Sequence, residues 1–399
     1  MRKKSLKIAI FHLAFIYSGG GEKLVLEEAE GLKELGHEVT IFTPVINREK
    51  CFPDIIDKFE IKTLLPQFPF IVPEHESAQI LITCILAPLL ALRFRSFDVI
   101  LAANQPSPWI AWWVKNFFGI PYVSYLAQPT RFLHPRKIDQ KTGLTFSKKA
   151  SVSLSAKLMH RGKRFISWAD RVSIKGSNRI LANGEYIKKL LEKTYSIKAL
   201  SCPAGAHPRQ GVSFEKRLKK PYLLITNRHF AQKRFEYAIF ALSSVLEKFP
   251  DYSLKITGAE TGYTDELKVL IGRLNLNSRV EFLGYVKEKD LEKLYSEAVV
   301  YLYTAPEEDF GMGIVEALGF GTPVVAWNKA GPARIVKDGK TGLLAKPFVA
   351  SDFSKKCLRI VSDKTLAKRL GSTGLKEVKR NFSSKNHIII LEEALKDVL

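Results

Sequence analysis

"EEDFGMGIVEALGFGTPVV", residues 307–325, sets one glutamate, Glu308, before a glycine-bearing turn and a second, Glu316, within the segment that follows. The run ahead of it, "VVYLYTAP" at 299–306, reads as a strand ending in a loop, and "GIVEALGFG" reads as a helix. Strand, glycine turn and helix in that order make the repeating unit of a parallel α/β sheet. The start of such a helix leaves backbone N–H groups unpaired and carries partial positive charge. The amides of Phe310, Gly311, Met312 and Gly313 therefore suit an anionic diphosphate, and glycines at 311 and 313 let the backbone approach it closely. From either side of the turn, Glu308 and Glu316 reach different parts of one extended ligand, and carboxylates are good acceptors for sugar hydroxyls.

The same alternation runs along the chain. "LKIAIF", "EVTIFT", "DVILAA" and "PYVSYL" precede residue 130, and "YLLIT", "SLKITG", "RVEFLG", "VVYLY", "TPVVAW" and "TGLLA" follow residue 220. Segments with helical spacing, such as "EKLVLEEAEGLKELG" and "DELKVLIGRLNL", lie between them. This predicts an α/β protein of two doubly wound, Rossmann-like domains. The expected boundaries are an N-terminal domain over 1–205, a linker over 206–220 where Pro, Gly and charge replace periodic apolar residues, and a second domain over 221–375. A C-terminal helix over 376–399 is expected to pack back toward the first domain. Ligands of open α/β sheets lie at the carboxyl ends of strands, so the site is expected in a cleft between the two domains.

With 399 residues, 46% of them hydrophobic, the chain is long enough for two ordinary cores. The apolar run "ILITCILAPLLAL", 80–92, is shorter than the roughly 20 residues that cross a bilayer and contains Pro88, so it reads as a buried or surface-seeking helix. The basic N-terminus "MRKKSLKIAIFHLAF" has no small-residue cleavage site after it and reads as a first strand. Cys51, Cys84, Cys202 and Cys357 are scattered without metal spacing, which suits a reducing cytosol. The net charge is +22, and residues 131–198 hold 17 Lys and Arg against 4 Asp and Glu. Such a surface fits nucleic acid, anionic lipid or a solvated face of no specific use.

The stretch "PEEDFGMGIVEALGFGTPVVAWNKAGPARIVKDGKTGLLA" resembles the donor-binding motif of the retaining glycosyltransferases of family 4, which have the GT-B fold and use nucleotide-sugar donors. The resemblance implies that Glu316 binds the donor ribose and that Glu308 faces the transferred sugar. "NRHFAQKRFEYAIFAL", 227–242, resembles the family's basic pair, with Arg228 and Lys233 (Arg234 adjacent) neutralising the diphosphate and the leaving-group charge. No D-x-D occurs in the sequence, so transfer is expected to need no metal and no cofactor beyond the donor substrate.

"FHLAFIYSGGGEKLVLEEA" places Gly19, Gly20, Gly21 and Glu22 between the first strand and the first helix, where the family closes a loop over the donor phosphates. It is not a G-x-G-x-x-G, which argues against nicotinamide binding. In "YLAQPTRFLHP", 125–135, Arg131 keeps the family's arginine, and Gln128 stands where many related mannosyltransferases carry a histidine near the donor sugar. Gln can hydrogen-bond a hydroxyl but exchanges no proton near neutral pH. His12 and His134 are nearby candidates. Arg334 replaces a glutamate common in relatives.

"INREKCFPDI", 46–55, resembles enzymes that mannosylate polyprenol-linked oligosaccharides, which turns the charge reading toward anionic lipid rather than nucleic acid. The resemblance thus implies a retaining hexosyltransferase acting on a glycan or lipid-linked acceptor, with mannose from GDP-mannose, peripheral on the cytoplasmic face of the membrane. Alternatives are a UDP-sugar-dependent transferase of the same family (glucosyl, galactosyl or N-acetylglucosaminyl) and a non-catalytic basic protein that binds nucleic acid or acidic glycan.

Overall fold

Runs of β-branched and aromatic residues without polar interruption become interior strands of parallel sheets, because such strands are covered on both faces. The computed structural model, which describes residues 5–67, 75–137, 154–207 and 219–399, carries two such sheets. The first holds β1 (Lys7–His12), β2 (Glu38–Thr43), β3 (Ile61–Thr63), β4 (Val99–Ala103), β5 (Tyr122–Leu126), β6 (Arg179–Ala182) and β7 (Leu200–Ser201), in the order β3-β2-β1-β4-β5-β6-β7. The second holds β8 (Lys220–Thr226), β9 (Ser253–Thr257), β10 (Val280–Gly284), β11 (Ala298–Tyr303), β12 (Val324–Trp327) and β13 (Gly342–Ala345), in the order β10-β9-β8-β11-β12-β13. Neighbouring strands pair in parallel throughout both sheets.

The order reverses between β1 and β4 in one sheet and between β8 and β11 in the other. At each reversal the connections diverge to opposite faces and leave a crevice beyond the carboxyl ends of the strands. The strands read from sequence are all present. Three were not read, β3, β6 and β7, which are too short to show a period against the surrounding loops.

Among the described residues, one unit takes 5–67, 75–136, 154–204 and Lys385–Leu399, and the other takes Lys137 with Gly205–Ser384. Residues 208–218 of the expected linker lie outside the described residues. The expected single helix over 376–399 is instead the end of one helix, Lys364–Asn381, followed by another, Ser384–Lys396. The break falls at Phe382 and Ser383, where Ser383 bridges Ala206.

The apolar run 80–92 also departs from one helix. It divides into His75–Ile85, Ala87–Leu90 and a 3-10 turn Ala91–Phe94, because Pro88 has no N–H to continue the ladder and instead starts the next helix. No single helix among the described residues is long and apolar enough to cross a membrane; Glu76–Ile85 and Ala87–Phe94 would be so only together, and they bend by 73°.

In the first unit Phe11, Phe42 and Phe94 interlock edge to face under β1, β2 and β4, with Trp109 and Ile110 closing the layer. In the second, Trp327 packs on Tyr237 and Phe353. The helix Ser384–Lys396 is held to the first unit by charge as well as by packing. His387 Nε2 donates to Glu28 Oε1 at 3.0 Å, and Nδ1 lies 3.3 Å from Cys202 Sγ, with Glu28 fully buried. Burial opposes charge on His387, but Cys202 and the Glu28 carboxylate outweigh it and raise the imidazole well above its usual range.

A buried ion pair that loses one member leaves an uncompensated charge, so Glu28→Gln should cost about 3 kcal/mol and lower Tm by thermal melting. A histidine whose folded pKa lies above its unfolded value of about 6.5 gives full stabilisation below that value and loses it as pH rises through the folded pKa. The gap in Tm between wild type and Glu28→Gln should therefore be widest below about pH 6.5 and narrow as pH rises. A gap that widens with pH would refute the assignment.

Candidate functional site

The β8/β11 reversal gathers the residues read from "EEDFGMGIVEALGFG" and "NRHFAQKRF". β8 ends at Thr226, and the chain then carries Arg228 and a 3-10 turn, Ala231–Lys233. β11 ends at Tyr303 and leads through Glu308 into the helix Met312–Gly319. Lys233 Nζ donates to Glu308 Oε2, and each side chain keeps less than a fifth of its surface exposed. The Lys233 carbonyl accepts from Thr304 Oγ1 at 2.7 Å, and the Glu308 carbonyl accepts from Gly331 N–H at 3.0 Å. Both turns are thus fixed by backbone as well as by charge. The Arg228 guanidinium lies 5.2 Å from the centroid of the Phe230 ring.

Glycines shape the entry to the helix. Gly311, its N-cap, has φ of 111°, which a side chain would strain. The Gly311 carbonyl begins the helix by accepting from Ile314 N–H, which leaves the amides of Gly311, Met312 and Gly313 ahead of the intrahelical ladder. The Phe310 side chain is buried against Phe382, so Phe310 offers a ligand its backbone rather than its ring.

Glu316 accepts from Tyr295 Oη at 2.7 Å; Tyr295 Oη lies 2.9 Å from Thr226 Oγ1, which lies 2.8 Å from Tyr301 Oη. The Tyr303 hydroxyl bonds Glu308 and Asn227. Burial first, and then the neighbouring carboxylates Glu316 and Glu308, push Tyr295 and Tyr303 well above the usual phenol range, so both hydroxyls stay protonated and donate. Sequence reading missed this bracing. Its signal was present in "VVYLY": Tyr301 and Tyr303, two apart on one strand, share a face.

In the first unit, Gly19 is the N-cap of the helix Gly20–Glu34, so Gly20, Gly21 and Glu22 form its first turn instead of a loop between strand and helix. Gly19 takes the extended conformation of an N-cap, a position glycine tolerates, with no side-chain cap bond. A methyl at Gly21 would meet nothing within 4 Å. Glu22 complements the helix dipole and, after burial itself, helps raise the Cys51 thiol to about 12.

After β5, Arg131 Nε donates to Gln128 Oε1 at 2.8 Å. The Gln128 carbonyl oxygen is engaged, and its amide N–H groups are what it can turn to a ligand. His12, at the end of β1 beside Ala103, is lowered to about 4 by burial, against hydrogen bonds to the Ala103 and Ala14 backbones that raise it, and is neutral near pH 7. His134 packs edge-on to Tyr195 and is lowered by burial, with Asp170 opposing. Arg334 is exposed on the short helix Pro332–Ile335. Among the described residues, no three His, Cys, Asp or Glu side chains group as metal ligands.

Residues 18–201 match the glycosyltransferase family 4 domain, and residues 209–377 match the glycosyl transferases group 1 domain. The chain is a family 4 glycosyltransferase. This glycosyltransferase is 25% identical to an alpha-1,3/1,6-mannosyltransferase of Dictyostelium discoideum over 96% of both chains. It is 24% identical to the alpha-1,3/1,6-mannosyltransferase of Schizosaccharomyces pombe over 96% of this chain and 79% of that one. Its fold matches sucrose-phosphate synthase from Thermosynechococcus elongatus, at 17% identity, a TM-score of 0.76 and 98% coverage of each chain. It also matches Anabaena HepE in complex with UDP and glucose, at 16% identity and a TM-score of 0.75, over 98% of this chain and 99% of that one. Two parallel sheets, six and seven strands wide, with these neighbours make it a GT-B enzyme, and its relatives make it a hexosyltransferase.

A methyl on Gly313 would sit 2.2 Å from Tyr301 Oη, which is fixed by Thr226. Gly313→Ala should therefore displace the tyrosine network, destabilise the protein by about 1–3 kcal/mol and weaken nucleotide-sugar binding. Melting and calorimetry check this; wild-type affinity in the variant would show that the close approach is not needed.

Proposed function

We propose that this glycosyltransferase moves mannose from GDP-mannose, with retention at the anomeric carbon, onto a glycan or lipid-linked acceptor in cell-surface polysaccharide or glycolipid synthesis, working at the cytoplasmic face of a membrane. The observation that carries the choice of sugar is the match, over nearly the whole chain, to alpha-1,3/1,6-mannosyltransferases. The β8/β11 crevice supports the donor site. The amides at the start of Met312–Gly319, with Arg228 and Lys233, offer a diphosphate positive charge and hydrogen-bond donors, while Glu316 offers the ribose an acceptor. Glu308 faces the sugar. On the first unit, Gly19 to Glu22 follow β1, and Gln128 and Arg131 follow β5.

In the transfer, the acceptor hydroxyl oxygen forms the new bond to the anomeric carbon as the bond from that carbon to the diphosphate oxygen breaks. The hydroxyl proton passes to a phosphate oxygen of the departing nucleoside diphosphate. Negative charge grows on that leaving group, and fixed cations aimed at it stabilise the transition state more than the ground state. Arg228 and Lys233 supply that charge in place of a metal ion. Lys233 is paired with Glu308, and donor binding would redistribute that cation toward the phosphates.

Purified enzyme titrated with GDP-mannose, UDP-glucose, UDP-galactose and UDP-N-acetylglucosamine tests the donor. Saturable binding of GDP-mannose that survives a chelator and is lost in Glu316→Ala is the expected result; preference for a UDP-sugar would overturn the mannosyl assignment. Lys233→Ala should lower kcat by about 10²–10³ with a smaller effect on KM, since its charge matters most as the diphosphate leaves. An unchanged kcat would remove Lys233 from leaving-group stabilisation. Tight salt-sensitive binding of nucleic acid with no donor bound would replace the enzyme reading with a basic binding protein.

A further inference from the structure

The reading that this enzyme works at a membrane leaves open which surface meets the lipid, and the first unit carries a face built for it. We infer that this unit docks on an anionic phospholipid surface through an aromatic and aliphatic face formed by the helices Ser107–Phe118 and Lys163–Lys175 and the bent segment around Ala87–Leu90. Large apolar side chains stand in solvent there: Ile85 is 67% exposed, Leu89 65%, Phe165 60% and Trp168 49%. Single exposed apolar residues are ordinary, but the two aromatic ones are joined. Phe165 and Trp168 touch at 5.6 Å between ring centroids, both reach Trp109 at about 6 Å, and Trp109 stacks on Trp112 at 5.4 Å. Trp109 Nε1 donates to the Cys84 carbonyl at 3.0 Å, which ties the aromatic helix to the end of the bent apolar segment.

Charge selects the occupant. On "KRFISWADRVSIK", 163–175, Lys163, Arg164, Arg171 and Lys175 are exposed around Phe165 and Trp168. The acid of that helix, Asp170, faces inward and accepts from Thr130 Oγ1 at 2.5 Å, so it does not neutralise the rim. An apolar centre of Trp and Phe flanked by exposed Lys and Arg of the same helix is complementary to an anionic bilayer interface, where indole rings lie at headgroup depth. A second copy of the chain fits less well, because a two-fold contact would set each basic rim against itself. The 73° bend between Glu76–Ile85 and Ala87–Phe94 suits a segment lying in the interface plane.

Sedimentation of the full-length enzyme with phosphatidylcholine vesicles, with and without phosphatidylglycerol, tests the inference. The wild type should partition to the anionic vesicles, lose that partition in salt, and show tryptophan fluorescence quenched by brominated lipid. Phe165→Ser/Trp168→Ser and, independently, Ile85→Asn/Leu89→Asn should each weaken partition roughly tenfold or more. GDP-mannose binding without vesicles should be unchanged in both variants, which reports that they fold. Wild-type enzyme that ignores anionic vesicles, or variants that partition as the wild type does, would overturn the docking face whatever the donor result. A loss of self-association in the variants with no change in partition would overturn it in favour of a second copy. Vesicle partition as expected, with no GDP-mannose bound by the wild type, would keep the docking face and sink the mannosyl reading instead.

Discussion

The ion pair between Lys233 and Glu308 joins two turns that leave different strands on either side of a reversal in strand order. A parallel sheet opens at that point, because successive connections cross to opposite faces and nothing covers the strand ends between them. Largely buried, each charge needs the other, since a lone ion there would have to give up its hydration without return. The pair therefore holds the crevice in register, and the Thr304 and Gly331 hydrogen bonds carry that register into the backbone of both turns. The two carboxylates of the motif are made chemically different by what surrounds them. Glu308 answers a cation and the Tyr303 hydroxyl, while Glu316 answers the Tyr295 hydroxyl. One is paired with a charged partner and the other with a neutral one.

Much of the fold was legible because parallel strands are buried on both faces and stand out as apolar runs, as in "DVILAA" and "VVYLY". Short pieces such as β7, Leu200–Ser201, were not, because two residues have no period and exist only where a neighbouring strand pairs with them. Local chemistry decided other departures. Pro88 ended a helix inside a run that composition alone would continue, and the triple glycine became the N-cap and first two residues of a helix. In the site, charged side chains were readable because a Glu or Lys beside a glycine turn is conspicuous. The tyrosines that hold them were not, because an aromatic residue in a strand reads as core until its hydroxyl finds a partner across the sheet.

The basic character of the chain gains meaning from where the charge lies. Net charge alone speaks to association and not to fold, and it left nucleic acid and lipid equally open. The helix Lys163–Lys175 bears on the inferred lipid contact, because nucleic acid binding stacks bases on aromatic rings along a groove, whereas here the rings are packed on one another.

The segment after β5 bears on where the acceptor proton goes. A general base must be able to take a proton near the working pH and reach the reacting hydroxyl. Gln128 has no such proton chemistry and already gives its carbonyl oxygen to Arg131. His12 is lowered to about 4 by burial, so it holds a proton weakly, and His134 is lowered as well. A side chain with depressed basicity is a poor sink for a proton released in a step that also expels a diphosphate. In the transfer proposed above, the diphosphate would gain negative charge and basicity as its bond to the sugar breaks, so the leaving group would be well placed to receive the proton. An amide at Gln128 is compatible with that proposal, because it can donate to a hydroxyl without taking up a proton.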